Sequence, residues 1–221
     1  MSDEIKKSWH KNAEEWVKII QNNAIPSRKY TNTAILDTLK SLDGDSLADI
    51  GCGEGWLSRE MHTLGWKTTG VDAIPGLIEQ AKKQGNQSFE VFTFEDIIDG
   101  KAIPNAPFDV GVFNFCLYLK DGTQELFSNT LKQLKANGAI VIQTLHPYFL
   151  IENGLPYQSQ WLSDSWKGLP GNFTDGHSWY ARTMEDWIEV LNMVEQSKFS
   201  FKEILNNEHK PISLIIKISK I

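Results

Sequence analysis

Cysteine is scarce in this chain: 221 residues contain two, Cys52 and Cys116. Neither sits in a Cys-x-x-Cys pair or a His/Cys cluster, so neither a disulfide framework nor a structural zinc site is indicated, and no metal ligand is assigned. Runs of basic residues are lacking too. Lys and Arg total 22 against 28 Asp and Glu, a net charge of −6, which argues against a groove tracking nucleic-acid phosphates. No stretch approaches roughly 18 uninterrupted apolar residues, so no membrane span is expected. The opening segment, "MSDEIKKSWHKNAEEW", has no apolar core of signal-peptide length. A reducing cytoplasm is the expected location. There is no internal repeat and no low-complexity tract, and nothing here sets an oligomeric state.

What is present is ordinary for a globular protein, 41% hydrophobic and 23% charged residues, in a length that suits one domain with a sizeable core. From residue 46 two periods alternate. "SLADI" reads as a buried strand, and "GWLSREMHTLG" as a helix stopped by Gly65. "WKTTGVD" is a second strand; "IPGLIEQAKKQG" is a helix with Pro75 near its first turn. "SFEVFTF" and "FDVGVFNF" are strands three and four. A helix is expected from about Asp121 to a stop at Gly138, then a fifth strand, "AIVIQTL". This order predicts right-handed crossovers and a Rossmann-like, doubly wound α/β sheet of seven strands, mostly parallel with an antiparallel last strand, helices on both faces.

One domain is expected over 1–221. Residues 1–44 read as a helical cap with Trp16, Ile19 and Ile20 on one side, and 45–145 as the ligand-binding core. Residues 146–187 form a long irregular insertion on the substrate side, holding four of the eight tryptophans. Residues 188–221 supply the end of a helix near "RTMEDWIEVLNMVEQS" and a hairpin of "FSFKEIL" and "ISLIIKIS".

Between the first strand and its helix lies "LADIGCGEGWL". Gly51, Gly53 and Gly55 permit positive φ and remove Cβ atoms from the path of a ligand. The dinucleotide fingerprint, G-x-G-x-x-G/A, needs a small residue where this chain has Trp56. Asp49, two residues before the first glycine, would oppose a pyrophosphate at the helix N-terminus and favour a ligand cationic nearby. Asp72 closes the second strand, where an acid takes ribose hydroxyls.

The run "LADIGCGEGWLSREM…GWKTTGVDAIPGLIEQAKK" resembles the class I S-adenosylmethionine-dependent methyltransferases, especially small bacterial ones that act on small molecules. "FEVFTFEDI", "FDVGVFNFCLYL", "LKQLKANGAIVIQTLHP" and the closing "FSFKEIL…PISLIIKIS" resemble that family's later segments in order. The resemblance implies the cofactor S-adenosyl-L-methionine, with S-adenosyl-L-homocysteine as product. It implies that Gly51, Cys52, Gly53 and Gly55 form the turn against the cofactor. Asp49 orders its amino end and Asp72 its ribose, with Ala73 beside the adenine. Thr93 and Phe94 fall where the family often has Asp and a small residue at the adenine, so threonine is a departure. Asn114 and Phe115 lie near the transferable methyl, and Arg28, in "IPSRKYTNTAI", pairs with the cofactor carboxylate.

His146 follows the fifth strand in "TLHPYF". Its ordinary pKa suits a general base toward a hydroxyl or amine, and it is the catalytic candidate; His177 is a weaker one. The aromatic residues of 146–187 suit either a packed lid or a pocket for a planar, partly apolar acceptor. The expected activity is methyl transfer to an O, N or C nucleophile of a small molecule. The alternatives are a module that binds S-adenosylmethionine without turnover and, more remotely, an NAD-dependent oxidoreductase.

Overall fold

The apolar runs stack side by side because each is buried from both faces. A computed structural model of the protein describes residues 3–221. Two helices lead, α1 (Asp3–Gln21) and α2 (Arg28–Lys40), followed by β1 (Ser46–Ile50), α3 (Trp56–Thr63), β2 (Lys67–Asp72), α4 (Pro75–Gln84) and β3 (Ser88–Val91). Then come α5 (Phe94–Ile98), β4 (Phe108–Asn114), α6 (Thr123–Lys132) and β5 (Leu134–Leu145). The chain closes with α7 (Tyr148–Glu152), β6 (Gln160–Leu162), β7 (Trp179–Ala181), α8 (Met184–Asn192), β8 (Ser197–Leu205) and β9 (Pro211–Lys220).

Seven strands form one sheet in the order β3-β2-β1-β4-β5-β9-β8. β1 pairs in parallel with β2 and β4, and β4 with β5; β9 runs antiparallel to both β5 and β8. The winding reverses between β1 and β4, which opens a crevice beyond their carboxyl ends. Successive residues of a strand feed opposite layers. Val110 and Val112 join Ile35 and Leu39 of α2 and Leu57 and Met61 of α3. Phe113 joins Ile97, Phe127 and Trp187 on the other face. No helix among the described residues is long and apolar enough to cross a membrane.

The apolar buried stripe of α1 is Ile5, Trp9, Ala13 and Val17, every fourth residue, joined by Ile19; of the expected set Trp16 and Ile20 are only half-buried. It packs with Ile74, Leu77 and Trp166. Polar side chains beside this stripe tie α1 to the aromatic-rich segment. Trp166 Nε1 donates to Ser8 Oγ at 2.9 Å, and Asn12 bonds the Thr174 carbonyl and N–H at 2.7 and 3.0 Å. Asn172 N–H donates to Glu15 at 2.8 Å. The segment 146–187 also carries α7 and the two-stranded β6–β7 ribbon, so it is less irregular than expected.

Two boundaries moved. β3 stops at Val91 because Thr93 starts a helix: its hydroxyl accepts from Asp96 N–H at 3.1 Å while Asp96 Oδ2 accepts from Thr93 N–H at 2.9 Å, a reciprocal cap. The helix expected to reach Gly138 ends at Lys132, and Leu134 already pairs with Phe108. The register then slips along β4, and Gly138 sits inside that irregularity rather than at a helix end. A Cβ at Gly138 would lie 2.7 Å from Leu134 Cβ and 2.9 Å from the Asp109 carbonyl oxygen. Gly138→Ala is therefore expected to cost about 1–3 kcal/mol through forced backbone movement, read as a lower urea midpoint with an unchanged m-value.

Candidate active site

The loop after β1 is held by carboxylates from two strands. Asp72, at the end of β2, accepts from Gly53 N–H through Oδ2 and from Ile74 N–H through Oδ1, both at 2.9 Å. Asp49 is 1% exposed. Its Oδ2 accepts from Ser58 N–H at 3.2 Å and Ser58 Oγ–H at 2.8 Å. Ser58 lies in the first turn of α3, whose N-cap, Gly55, has no side chain to offer; Asp49 satisfies that turn from the neighbouring strand. Burial raises both acids, Asp49 to about 7 and Asp72 to about 6, against the hydrogen bonds that favour their charged forms.

The three glycines serve three purposes. Gly51 (φ +77) passes the Cys116 side chain, which a Cβ would meet at 2.6 Å. Gly55 (φ +81) abuts the Phe89 ring at 2.6 Å. Only at Gly53 (φ +57) would a Cβ find room, the Trp16 indole nitrogen at 3.6 Å being its nearest neighbour. Gly53 is thus the one glycine of the three with open space before it. Its neighbours in the motif are small for packing.

Around this loop lies a cleft. Arg28, Asp49, Gly51, Cys52, Gly53, Asp72, Ala73, Phe94, Asn114 and Phe115 line it. Arg28 lies against two indole faces, 5.5 Å from the Trp16 ring centre and 5.2 Å from that of Trp56. Burial lowers its pKa to about 10, partly offset by Glu54. Glu54 itself pairs with Arg59 at 2.5 Å, and among the described residues no carboxylate lies within 4.0 Å of Arg28. A cation so placed suits an anionic ligand group. Phe115 takes φ +54, a costly conformation for a bulky residue, and its carbonyl accepts from Tyr118 OH at 2.9 Å.

Three expected residues do not reach the cleft wall. Gly55 faces Phe89. Thr93 spends its hydroxyl on the α5 cap, and Phe92, one residue earlier, lines the cleft instead. His146 is the main correction. Its Nδ1 accepts from Tyr148 N–H at 3.0 Å, so Nε2 carries the proton toward Glu203 Oε1 at 2.9 Å. Both ring nitrogens are occupied, and the side chain caps α7 rather than facing a substrate. His177 is fully buried, edge-on to Tyr118 at 5.0 Å; burial lowers its pKa and keeps it neutral.

The residues missed from sequence are mainly aromatic: Trp9, Trp16 and Tyr118 join Trp56 on the wall. Trp9 and Trp16 are seven residues apart, two helical turns on one face. That spacing was the available signal.

The model of a family described as a methyltransferase domain matches residues 8–193. The chain belongs to that family. An uncharacterized methyltransferase of Schizosaccharomyces pombe is 33% identical over 101 residues, 46% of this chain and 38% of that one. A ubiquinone biosynthesis O-methyltransferase of Glaesserella parasuis is 26% identical over 199 residues, 84% of this chain and 78% of that protein. Among solved structures, a DhpI–SAM–HEP complex is similar with a TM-score of 0.69 at 16% identity, covering 99% of each chain; at that identity the likeness is one of fold. The chain spans 38% and 42% of the length of two fission-yeast relatives.

The glycine positions of this methyltransferase domain differ in what a methyl group would meet. Gly55→Ala is expected to lower stability by about 2–3 kcal/mol, through overpacking against Phe89 added to the left-handed backbone. Gly53→Ala should cost only about 1 kcal/mol, from backbone conformation alone. Equilibrium denaturation of the two variants checks the order.

Proposed function

We propose that this chain binds S-adenosyl-L-methionine in the cleft and transfers its methyl group to a small-molecule acceptor. The observation that carries the reading is the charge layout. A half-buried cation with no carboxylate within 4.0 Å among the described residues, Arg28, lines the cleft together with a buried acid, Asp49, and a half-buried one, Asp72. A ligand with a carboxylate, an ammonium and a ribose diol matches those three groups. A pyrophosphate does not, since it would bring negative charge to walls that already hold two carboxylates.

In this reading Arg28 takes the carboxylate, Asp49 the amino end and Asp72 the ribose hydroxyls. Gly51, Cys52 and Gly53 supply the cradle, Ala73, Phe92 and Phe94 border the adenine, and Asn114 and Phe115 face the methyl. S-adenosylmethionine supplies a methyl already activated on a positively charged sulfur. The protein's part is to align the acceptor with that methyl and to exclude water. Trp9, Trp16 and Tyr118 form an apolar wall suited to a planar acceptor. The Glaesserella relative is named for ubiquinone biosynthesis, and a further structural neighbour is a plantazolicin methyltransferase; both names fit a small-molecule acceptor. No nucleic-acid or membrane partner is proposed, and the site of action is taken to be the cytoplasm.

The displacement of His146 favours one other reading. A cleft with no histidine among its described lining residues, and with its two carboxylates given to the cofactor, suits either an acceptor that needs no further base or a module that holds the cofactor without turnover. Transfer of labelled methyl from S-adenosylmethionine to a panel of phenols, amines and thiols separates the two. Labelled product that disappears in Asp72→Ala supports the enzyme; binding without product on every acceptor supports the module.

The raised pKa of Asp49 gives the binding a pH signature. Below about pH 7 the free protein holds this carboxyl largely protonated, whereas a cationic ligand selects the charged form. The ligand's ammonium stays protonated below about pH 7.7. Calorimetric affinity for S-adenosylmethionine is therefore expected to tighten about tenfold between roughly pH 5.5 and pH 7.5, and Asp49→Asn to bind weakly with a shallower profile, the part that remains coming from Asp72. Ligand-free stability should move the opposite way. The unfolded chain loses these protons near its ordinary carboxylate pKa, so the folded-state contribution is present below about pH 4 and lost as pH rises toward 7.

A further inference from the structure

We propose that Tyr118 is a positioning residue for the cofactor: its hydroxyl holds Phe115 in the left-handed conformation that sets Asn114, Phe115 and Cys116 along the cleft wall. The inference rests on the methyltransferase reading above and adds to it a residue that acts through another.

The chain turns where β4 ends. Asn114 is still in register with Gln143 of β5, and Phe115 N–H donates to the Gln143 carbonyl at 2.8 Å. The next residue reaches the other neighbour of β4: Cys116 Sγ–H donates to the Ile50 carbonyl of β1 at 3.2 Å. Between these two anchors Phe115 takes φ +54. A bulky residue avoids that region because its Cβ crowds the following carbonyl oxygen. Such a conformation persists only where its surroundings over-determine it. The Phe115 carbonyl lies past the last ladder pair and accepts from Tyr118 O–H at 2.9 Å. Asn114, Phe115, Cys116 and Tyr118 all line the cleft, so the clamp and the turn that it fixes belong to the same wall.

A clamp works only from a fixed support. Tyr180 N–H of β7 donates to the Tyr118 carbonyl at 2.8 Å. The buried Arg182 donates to the Leu119 and Lys120 carbonyls at 3.2 and 2.5 Å, and to Thr123 Oγ1 at 3.1 Å. The Tyr118 ring stands edge-on to the fully buried His177 at 5.0 Å and lies 6.2 Å from the Trp9 ring centre. Residues far along the chain therefore fix where the hydroxyl points.

A phenol on the wall invites the role of general base that His146 does not fill. The hydrogen bond gives it a different one. Its proton is already donated to the Phe115 carbonyl, and burial pushes the phenol's pKa up, so it stays protonated. Tyr118 is thus a constant donor to the backbone and takes no proton from an acceptor. Setting the turn before the ligand arrives is preorganisation. Without the hydroxyl, Phe115 relaxes in the free protein, and affinity falls with the fraction of molecules that keep the turn.

The test is a double-mutant cycle read by calorimetric titration of S-adenosylhomocysteine. The four proteins are the unaltered chain, Tyr118→Phe, Phe115→Gly and the double variant, at a temperature where all are folded. Glycine adopts positive φ without strain and needs no clamp. Tyr118→Phe should weaken binding about fivefold, the worth of one hydrogen bond, but less than about twofold in the Phe115→Gly background. A hydroxyl that only stabilised the fold would move the melting temperature and leave the affinity of folded protein alone. Unchanged affinity in Tyr118→Phe, or an equal loss in both backgrounds, overturns the proposal. Titration of the unaltered chain comes first and reports on the cofactor reading alone. If it fails, urea midpoints of the four proteins replace affinities: a drop confined to the Phe115 background supports the clamp, and equal drops overturn it. Should Tyr118→Phe not fold, recovery of folding in the double variant supports the proposal, and failure of both overturns it.

Discussion

The Asp72 carboxylate spans two backbone N–H groups, those of Gly53 and Ile74, and the cleft takes its shape from that bridge. It ties the loop after β1 to the turn after β2, so two crossovers that would otherwise end independently share one anchor. Asp49 does the same a layer deeper, reaching from β1 to the first turn of α3. Each carboxylate replaces lost water with backbone donors. Neither is fully compensated, and burial holds both well above the ordinary carboxylate pKa. The site therefore holds an unmet demand for positive charge before any ligand arrives.

That demand makes sense of the roof. Helix α1 and the segment around Trp166 and Thr174 lie more than 150 residues apart in sequence, yet Ser8, Asn12 and Glu15 join them on consecutive turns. Trp9 stands edge-on to Trp166 at 4.6 Å, and Phe173 stacks on the same indole at 4.7 Å. This aromatic block lowers the dielectric over the cleft and strengthens every charge inside it. Trp16 and Trp56 bracket Arg28, so this cation is positioned by apolar surface rather than by an ion pair.

Local signals carried the core. Strand residues 46–50 and 139–145 were legible because double burial writes nearly continuous apolar runs, and the glycine loop because positive φ demands glycine. Where local signals competed, the reading slipped. "FTF" has strand composition, but Thr93 and Asp96 close a reciprocal cap, which moves the cleft contact to Phe92. Gly138 reads as a helix stop, but its missing Cβ serves the close approach of Leu134 and Asp109. His146 has the chemistry of a base, yet Pro147 turns the chain into α7, and the imidazole is drawn into capping it.

By itself, the sequence determined the order of strands and helices, the doubly wound sheet and the loop where a ligand is held. Each depends on residues within a few positions of one another, where periodicity and glycine conformation act. Only the tertiary structure decided which side chains face the cleft: that Trp9 and Trp16 line it, and that among the described residues no carboxylate comes within 4.0 Å of Arg28. Those facts are set by burial and by partners distant along the chain. Pairing and desolvation belong to the packed molecule, and no single segment encodes them.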